Sequence, residues 1–176
     1  MAALGPEVCI QHRDPGAAVR GFLQRARWLA AVTGRTGAQL AINGRLDVAL
    51  LVDAHLHLPV DGPRPREVRP HLAPGRWLSA AVHSPEELAE AEGADALLLS
   101  PVHPPGSKPG DGRPTLGPDG FLRLALAAPV PCFALGGMTP QRLSALTHCQ
   151  GVAAQTAVLR ASDPAGMARA FLDAVP

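Results

Sequence analysis

At 176 residues with a formal net charge of +1, the chain is long enough for one domain with its own core and too evenly charged to present a basic surface to nucleic acid. Hydrophobic residues make up 47% of it, yet no apolar run reaches the ~20 residues of a membrane span, and the first residues lack the basic-then-apolar order of a secretory signal. Tyrosine is absent and Phe and Trp are few, so the aromatic platforms that stack bases are missing; neither nucleic acid nor membrane is an expected partner.

In chain order, residues 2–4 read as the tail of a helix that runs straight into a strand over 8–12. Further strands are predicted over 39–42, 55–58, 77–81, 96–100, 131–135 and 151–154, from short apolar runs bounded by turn residues. Amphipathic helical patterns lie between and after them, over 17–32, 46–52, 64–72, 85–92, 118–127, 140–146 and 164–174. Ser84-Pro85, Thr139-Pro140 and Asp163-Pro164 each place a capping side chain before a proline at the first helical position. Gly75 and Gly93 stand where helix ends need a left-handed residue. The three cysteines, Cys9, Cys132 and Cys149, form no CxxC pair, and an odd, scattered set suits a reducing cytoplasm.

Strand–helix alternation with continuously apolar strands defines a parallel sheet covered by helices. The two architectures open to it are a doubly wound sheet and a closed barrel. Seven units are many for a small open sheet, and no GxGxxG follows the first strand. The expectation is therefore a single TIM-type (β/α) barrel domain over 1–176 that lacks its first strand–helix unit. A mis-assigned start codon, a truncation, or a barrel completed by another chain would each account for the gap. Open parallel edges invite association, so a homo-oligomer is expected.

Chemistry in such a fold belongs at the C-terminal ends of the strands. The run Ala134-Leu135-Gly136-Gly137-Met138-Thr139-Pro140 takes an apolar strand into two glycines and a helix cap, where backbone N–H groups can approach an anion. Gln155-Thr156-Ala157, one strand later, can close the other side, so Gly136, Gly137, Gln155 and Thr156 read as a cup for a phosphate. Gln11-His12-Arg13 ends the first strand, and the guanidinium of Arg13 suits a phosphate or carboxylate. Asn43 either caps the helix beginning near Leu46 or offers its amide at the mouth of the site. The loop 101–118 is rich in proline and glycine and reads as a flap carrying Ser107 and Lys108, the single lysine.

Four histidines lie near strand ends. His55 and His57 share one face of a strand, but without HExxH or a cysteine cluster no metal site is expected. His83 and His103 are the better candidates for proton transfer, with structural or solvated roles as the alternative.

In order and spacing these pieces resemble the thiamine phosphate synthase/TenI superfamily. The matching runs include Ile10-Gln11-His12-Arg13, Ile42-Asn43-Gly44-Arg45, His57-Leu58-Pro59, Val82-His83-Ser84-Pro85, Ser100-Pro101-Val102-His103 and Leu135-Gly136-Gly137-Met138-Thr139-Pro140. The resemblance covers essentially the whole chain. It implies a TIM barrel that holds a thiazole phosphate at Gly137, Gln155 and Thr156, with Gln11, Arg13, Asn43, Ser107 and Lys108 in the substrate pocket.

Several positions depart from the synthase pattern. Where the synthases carry a lysine in the first motif this chain has Pro15, where they carry a magnesium-binding aspartate it has Gly44, and their serine before Val-His is Ala81. The Asn-Gly-Arg and Leu-Pro variants look more like the TenI branch, whose characterised members aromatise a thiazole phosphate tautomer by proton transfer. The histidine of that branch falls at Pro101, leaving His103 to replace it. The expectation is a cytoplasmic TenI-like protein that binds a thiazole phosphate and acts as a tautomerase, with no firm cofactor. The alternatives are a thiamine phosphate synthase, which would use Mg²⁺, and a non-catalytic regulatory barrel.

Overall fold

The computed structural model describes residues 2–104 and 114–175. Seven strands form one sheet: β1 (Cys9–His12), β2 (Gln39–Asn43), β3 (His55–Leu58), β4 (Leu78–Val82), β5 (Ala96–Leu99), β6 (Cys132–Leu135) and β7 (Gly151–Ala153). They lie side by side in sequence order, and every neighbouring pair is parallel. The sheet curls into a half-barrel with helices on its outer side, as the alternation of apolar strands and amphipathic helices predicts.

Alternate residues of each strand decide the two faces. Leu40, Ile42, Leu56, Leu58 and Leu78 point outward and form one core with Phe22 and Ala26 of α1 (Val19–Thr36) and Val48 and Ala49 of α2 (Leu46–Val52). A second core joins Val82, Leu97, Leu99 and Ala134 to Phe121 and Leu124 of α5 (Gly117–Ala127) and to Phe171 of α8 (Pro164–Leu172). Helix α1 follows from its spacing, since Phe22, Ala26 and Thr33 recur on one stripe, and Gly37 stops it in the left-handed region at φ 75°.

The remaining helices are α3 (Pro65–Val68), α4 (Pro85–Glu90), α6 (Pro140–Leu143) and α7 (Thr156–Leu159). The three expected caps are present: Ser84 accepts from Glu87 N at 3.3 Å, Thr139 from Arg142 N at 3.3 Å and Asp163 from Gly166 N at 2.9 Å. Gly75 and Gly93 adopt φ of 79° and 93°, as helix ends require.

Three local readings need correction. The helix expected over 64–72 breaks at Val68 into a 3₁₀ turn, Arg69–His71, because Pro70 has no N–H and cannot continue the α pattern. Residues 155–157, read as a turn, open the one-turn helix α7. Asn43 does not cap α2, because Arg45 holds the cap position and makes no side-chain cap bond. Among the described residues no helix is long and apolar enough to cross a membrane.

Candidate functional site at the strand ends

The C-terminal ends of the seven strands share one rim, and most of the sequence candidates lie on it. On β1 and β2, the Asn43 amide nitrogen donates to Gln11 Oε1 at 3.5 Å, so these two candidates form a pair on the inner side. Released from capping, Asn43 thus keeps the second role open to it. Arg13 follows β1 and is exposed. His12 turns outward instead: its ring stacks on Phe22, centroids 4.0 Å apart, and its Nε2 lies 3.2 Å from Phe22 O. The guanidinium of Arg45 lies over the same Phe22 ring at 5.7 Å and grips Asp47 with two bonds of 2.9 and 2.6 Å. That grip holds the Asp47 carboxyl below its usual range.

His57 and Ser79, side by side on β3 and β4, form a buried pair on the inner face, with Nδ1 and Oγ 2.9 Å apart. Burial pushes the His57 ring down to about 4, and the positive charge of Arg13 adds to the effect. Neither residue is a sequence candidate. The shared face of His55 and His57 is visible in the sequence, but the register that sets Ser79 beside His57 is not. His83, just past β4, is tied to Glu87 of α4: Glu87 Oε2 accepts from the His83 backbone N at 2.6 Å and lies 2.8 Å from Nδ1. A carboxylate on Nδ1 fixes the ring's orientation and leaves Nε2 as its other proton site.

At β5 and β6 the two glycines serve contacts within the chain. Val102 N donates to Leu135 O at 2.9 Å and His103 N to Gly136 O at 3.1 Å, so the segment after β5 runs alongside the glycines. A Cβ on Gly136 would lie 2.8 Å from Pro101 Cα, and one on Gly137 would lie 2.6 Å from Pro104 O. Both glycines also hold positive φ, 101° and 57°. The requirement for glycine here comes from this close approach and from backbone conformation. Arg142 donates to Gly137 O, and its charge, after burial, lowers the affinity of His103 for a proton. Gln155 and Thr156 follow β7 beside this loop, Gln155 exposed and Thr156 half-buried. Ser107 and Lys108 lie outside the described residues.

Magnesium, which a synthase reaction implies, finds no ready-made cage. Among the described residues no three His, Cys, Asp or Glu side chains gather as a ligand set. Asp47 is committed to Arg45, and Gly44 offers no side chain after Asn43. The cysteines add no ligand group: Cys132 and Cys149 are buried with thiols raised by burial, and Cys9 is exposed on β1.

A curled parallel sheet with polar side chains at its strand ends and on its inner face, and apolar cores on its outer one, defines a (β/α)-barrel-type protein. Residues 1–161 match the family described as thiamine monophosphate synthase. A Geobacter sulfurreducens relative is 35% identical over 182 residues, taking in 99% of this chain and 84% of its own length. The thiamine-phosphate synthase of Xanthobacter autotrophicus is 34% identical over 179 residues, again 99% of this chain and 84% of the relative. The solved structure of a thiamine phosphate pyrophosphorylase from Pyrococcus furiosus superposes with a TM-score of 0.85 at 27% identity, covering 98% of this chain and 85% of that one. The chain belongs to the thiamine monophosphate synthase family, and its place is in thiamine biosynthesis.

Proposed function

We propose that the protein is a thiamine-phosphate synthase, joining a thiazole phosphate to a hydroxymethylpyrimidine diphosphate with loss of pyrophosphate. The observation that carries this reading is the amide pair Gln11–Asn43 beside Arg13 at the rim of β1 and β2, set in a fold shared with relatives named as synthases. In this reading the thiazole phosphate sits at Gly136, Gly137, Gln155 and Thr156, and the planar fork of Arg13 faces the diphosphate. The Gln11 and Asn43 amides orient a ring by hydrogen bonds rather than by charge. Ser107 and Lys108 belong to the same pocket by family resemblance. No step is assigned to Mg²⁺, because Gly44 supplies no carboxylate after Asn43 and no three-residue ligand cluster forms among the described residues. The test is direct: purified protein, both phosphorylated substrates and Mg²⁺, with thiamine phosphate followed by chromatography. Formation at enzyme-dependent rate supports the reading, and no product at micromolar protein rejects it.

A second reading is favoured by Gly44, which stands where the synthases carry their metal aspartate. In it the protein binds the thiazole phosphate alone and aromatises its tautomer, with His103 or the Glu87-held His83 moving the proton. This reading predicts faster aromatisation without Mg²⁺ and loss of rate in His103→Ala or His83→Ala. If neither variant slows the reaction, the tautomerase assignment falls.

A further inference from the structure

The even net charge of the chain hides a local division. Helix α1 carries Arg20, Arg25, Arg27 and Arg35 and no acidic residue. Arg25 is paired with Asp14, whereas Arg20, Arg27 and Arg35 are exposed and in no ion pair among the described residues. With Gln24, Trp28 and Ala31 these three form one exposed stripe, because steps of three and four residues return to the same side of a helix. From Arg20 to Arg35 it runs about 22 Å. Helix stability does not ask for this pattern. A solvated face is steadied by opposite charges at i,i+4, and the first turn, where Arg20 stands, favours acids. Trp28 is 63% exposed, whereas Trp77 is half-buried with its indole N–H bonded to Gln39. An indole set in water among guanidinium groups has the make-up of an interface centre, where Trp and Arg contribute most.

The opposite make-up lies on α4 and the residues just after it, where 85–92 hold Glu86, Glu87, Glu90 and Glu92 and no Lys or Arg. Glu87 is tied to His83, and Glu86 suits the first turn. Glu90 stands in the last turn, where a helix favours cations, and its bond to Arg64 is an exposed ion pair worth little. Glu86, Ala89 and Glu90 are exposed and share one side of the helix. They set a small apolar residue between two carboxylates, which matches an indole flanked by guanidinium groups. Sheet order puts β3, α2 and α3 between α1 and α4, so the two faces of one chain do not meet each other.

We propose that the exposed face of α1 docks on the α4 face of a second copy of this chain, with Trp28 against Ala89 and Arg27 beside Glu86. Each copy carries both halves, so a reciprocal contact joins two copies at two places. A single-stranded nucleic acid fits the stripe less well, because it calls for several stacking platforms and the stripe has one aromatic residue. The contact lies on the outer helices, away from the strand-end rim, and stands independently of the reaction assigned there.

Analytical ultracentrifugation of the full chain at concentrations up to about 100 μM reads the contact. The wild type should sediment as a dimer at the top of that range in about 50 mM salt and shift towards monomer in about 0.5 M, because exposed charges are screened. Arg27→Glu, Glu86→Arg and Trp28→Ala should each raise the dimer Kd about tenfold or more. All three positions are exposed, and circular dichroism checks that each variant is folded. Mixing Arg27→Glu with Glu86→Arg should restore association, since the reversed charges then face each other across the contact; a variant that had merely lost its fold is not rescued in this way. A wild type that stays monomeric at about 100 μM in low salt, association indifferent to all three changes, or no rescue on mixing overturns the inference. A monomer whose Trp28 fluorescence is quenched by single-stranded oligonucleotide overturns it as well, in favour of nucleic acid.

Discussion

His55 Nδ1 accepts a hydrogen bond from the backbone N–H of Trp77 at 3.1 Å while the two rings stack with centroids 4.4 Å apart. Burial pushes His55 down to about 4, helped by the nearby Arg76 charge, and burial does the same to His57. Both rings are therefore neutral in the folded protein at pH values where the unfolded chain takes up protons. A folded pKa below the unfolded one means that stability falls as pH drops from about 6.5 and levels off below about 4. The expected loss is on the order of 2 kcal/mol per ring across that window. Urea midpoints at pH 7 and pH 4.5 measure it. His55→Phe keeps the stack, removes the acceptor for Trp77 N–H, and should both lower stability at pH 7 by about 1–3 kcal/mol and flatten the pH slope.

Gly136→Ala and Gly137→Ala test what the glycine pair is for. Each adds a Cβ at positive φ, 2.8 Å from Pro101 Cα in the first case and 2.6 Å from Pro104 O in the second. Backbone strain and the displaced loop together should cost about 2–4 kcal/mol, seen as a fall in Tm with or without ligand. A variant that keeps its Tm and loses only phosphate affinity would show that the pair acts on ligand rather than on the loop after β5.

All seven strands are legible from sequence to within a residue at either end, because a buried parallel strand is a short apolar run and proline or glycine marks its limits. The cap-then-proline pairs mark where α4, α6 and α8 begin, whereas each ends earlier than expected, at Glu90, Leu143 and Leu172. What escapes is shorter or longer in range than those patterns. Helix α7 is four residues long, too brief to show a period. Ser79 meets His57 across 22 residues of chain, and only strand register brings them together. The glycine pair is visible as a break in an apolar strand, yet the sequence does not say that residues 101–104 are what come near it. The rim as a location was readable; the partners along it were not.

Asp95 anchors the start of β4 from the neighbouring connection. Its Oδ2 accepts from the backbone N of Leu78 at 2.7 Å and also from Arg69, and Leu78 is fully buried. Asp95→Ala leaves that N–H without its acceptor and should lower stability by about 1–3 kcal/mol, whereas Arg69→Ala, which removes the exposed ion pair and the 2.9 Å bond to Arg76 O, whose carbonyl water can reach, should cost less, about 1 kcal/mol. Denaturant titration of both variants checks the order, and a larger loss in Arg69→Ala would contradict it.

Gly44 offers the sharpest handle on the metal. It follows Asn43 at φ 68°, and a Cβ there would meet only Pro59 Cδ and Cγ at 3.6 and 3.7 Å, ordinary contact distances. Aspartate is among the residues that tolerate the left-handed region, so Gly44→Asp should fold with a loss of about 1 kcal/mol. It would place a carboxylate at the position that carries the metal aspartate in the synthases, next to the Gln11–Asn43 pair. Without that carboxylate, millimolar Mg²⁺ should leave the wild-type Tm unchanged. In Gly44→Asp, Mg²⁺ should raise Tm by a degree or more, since any ligand held by the folded state alone stabilises it by mass action. If wild-type protein already shows that shift, its metal ligands include groups other than those on the early strands, and the search for them moves along the rim.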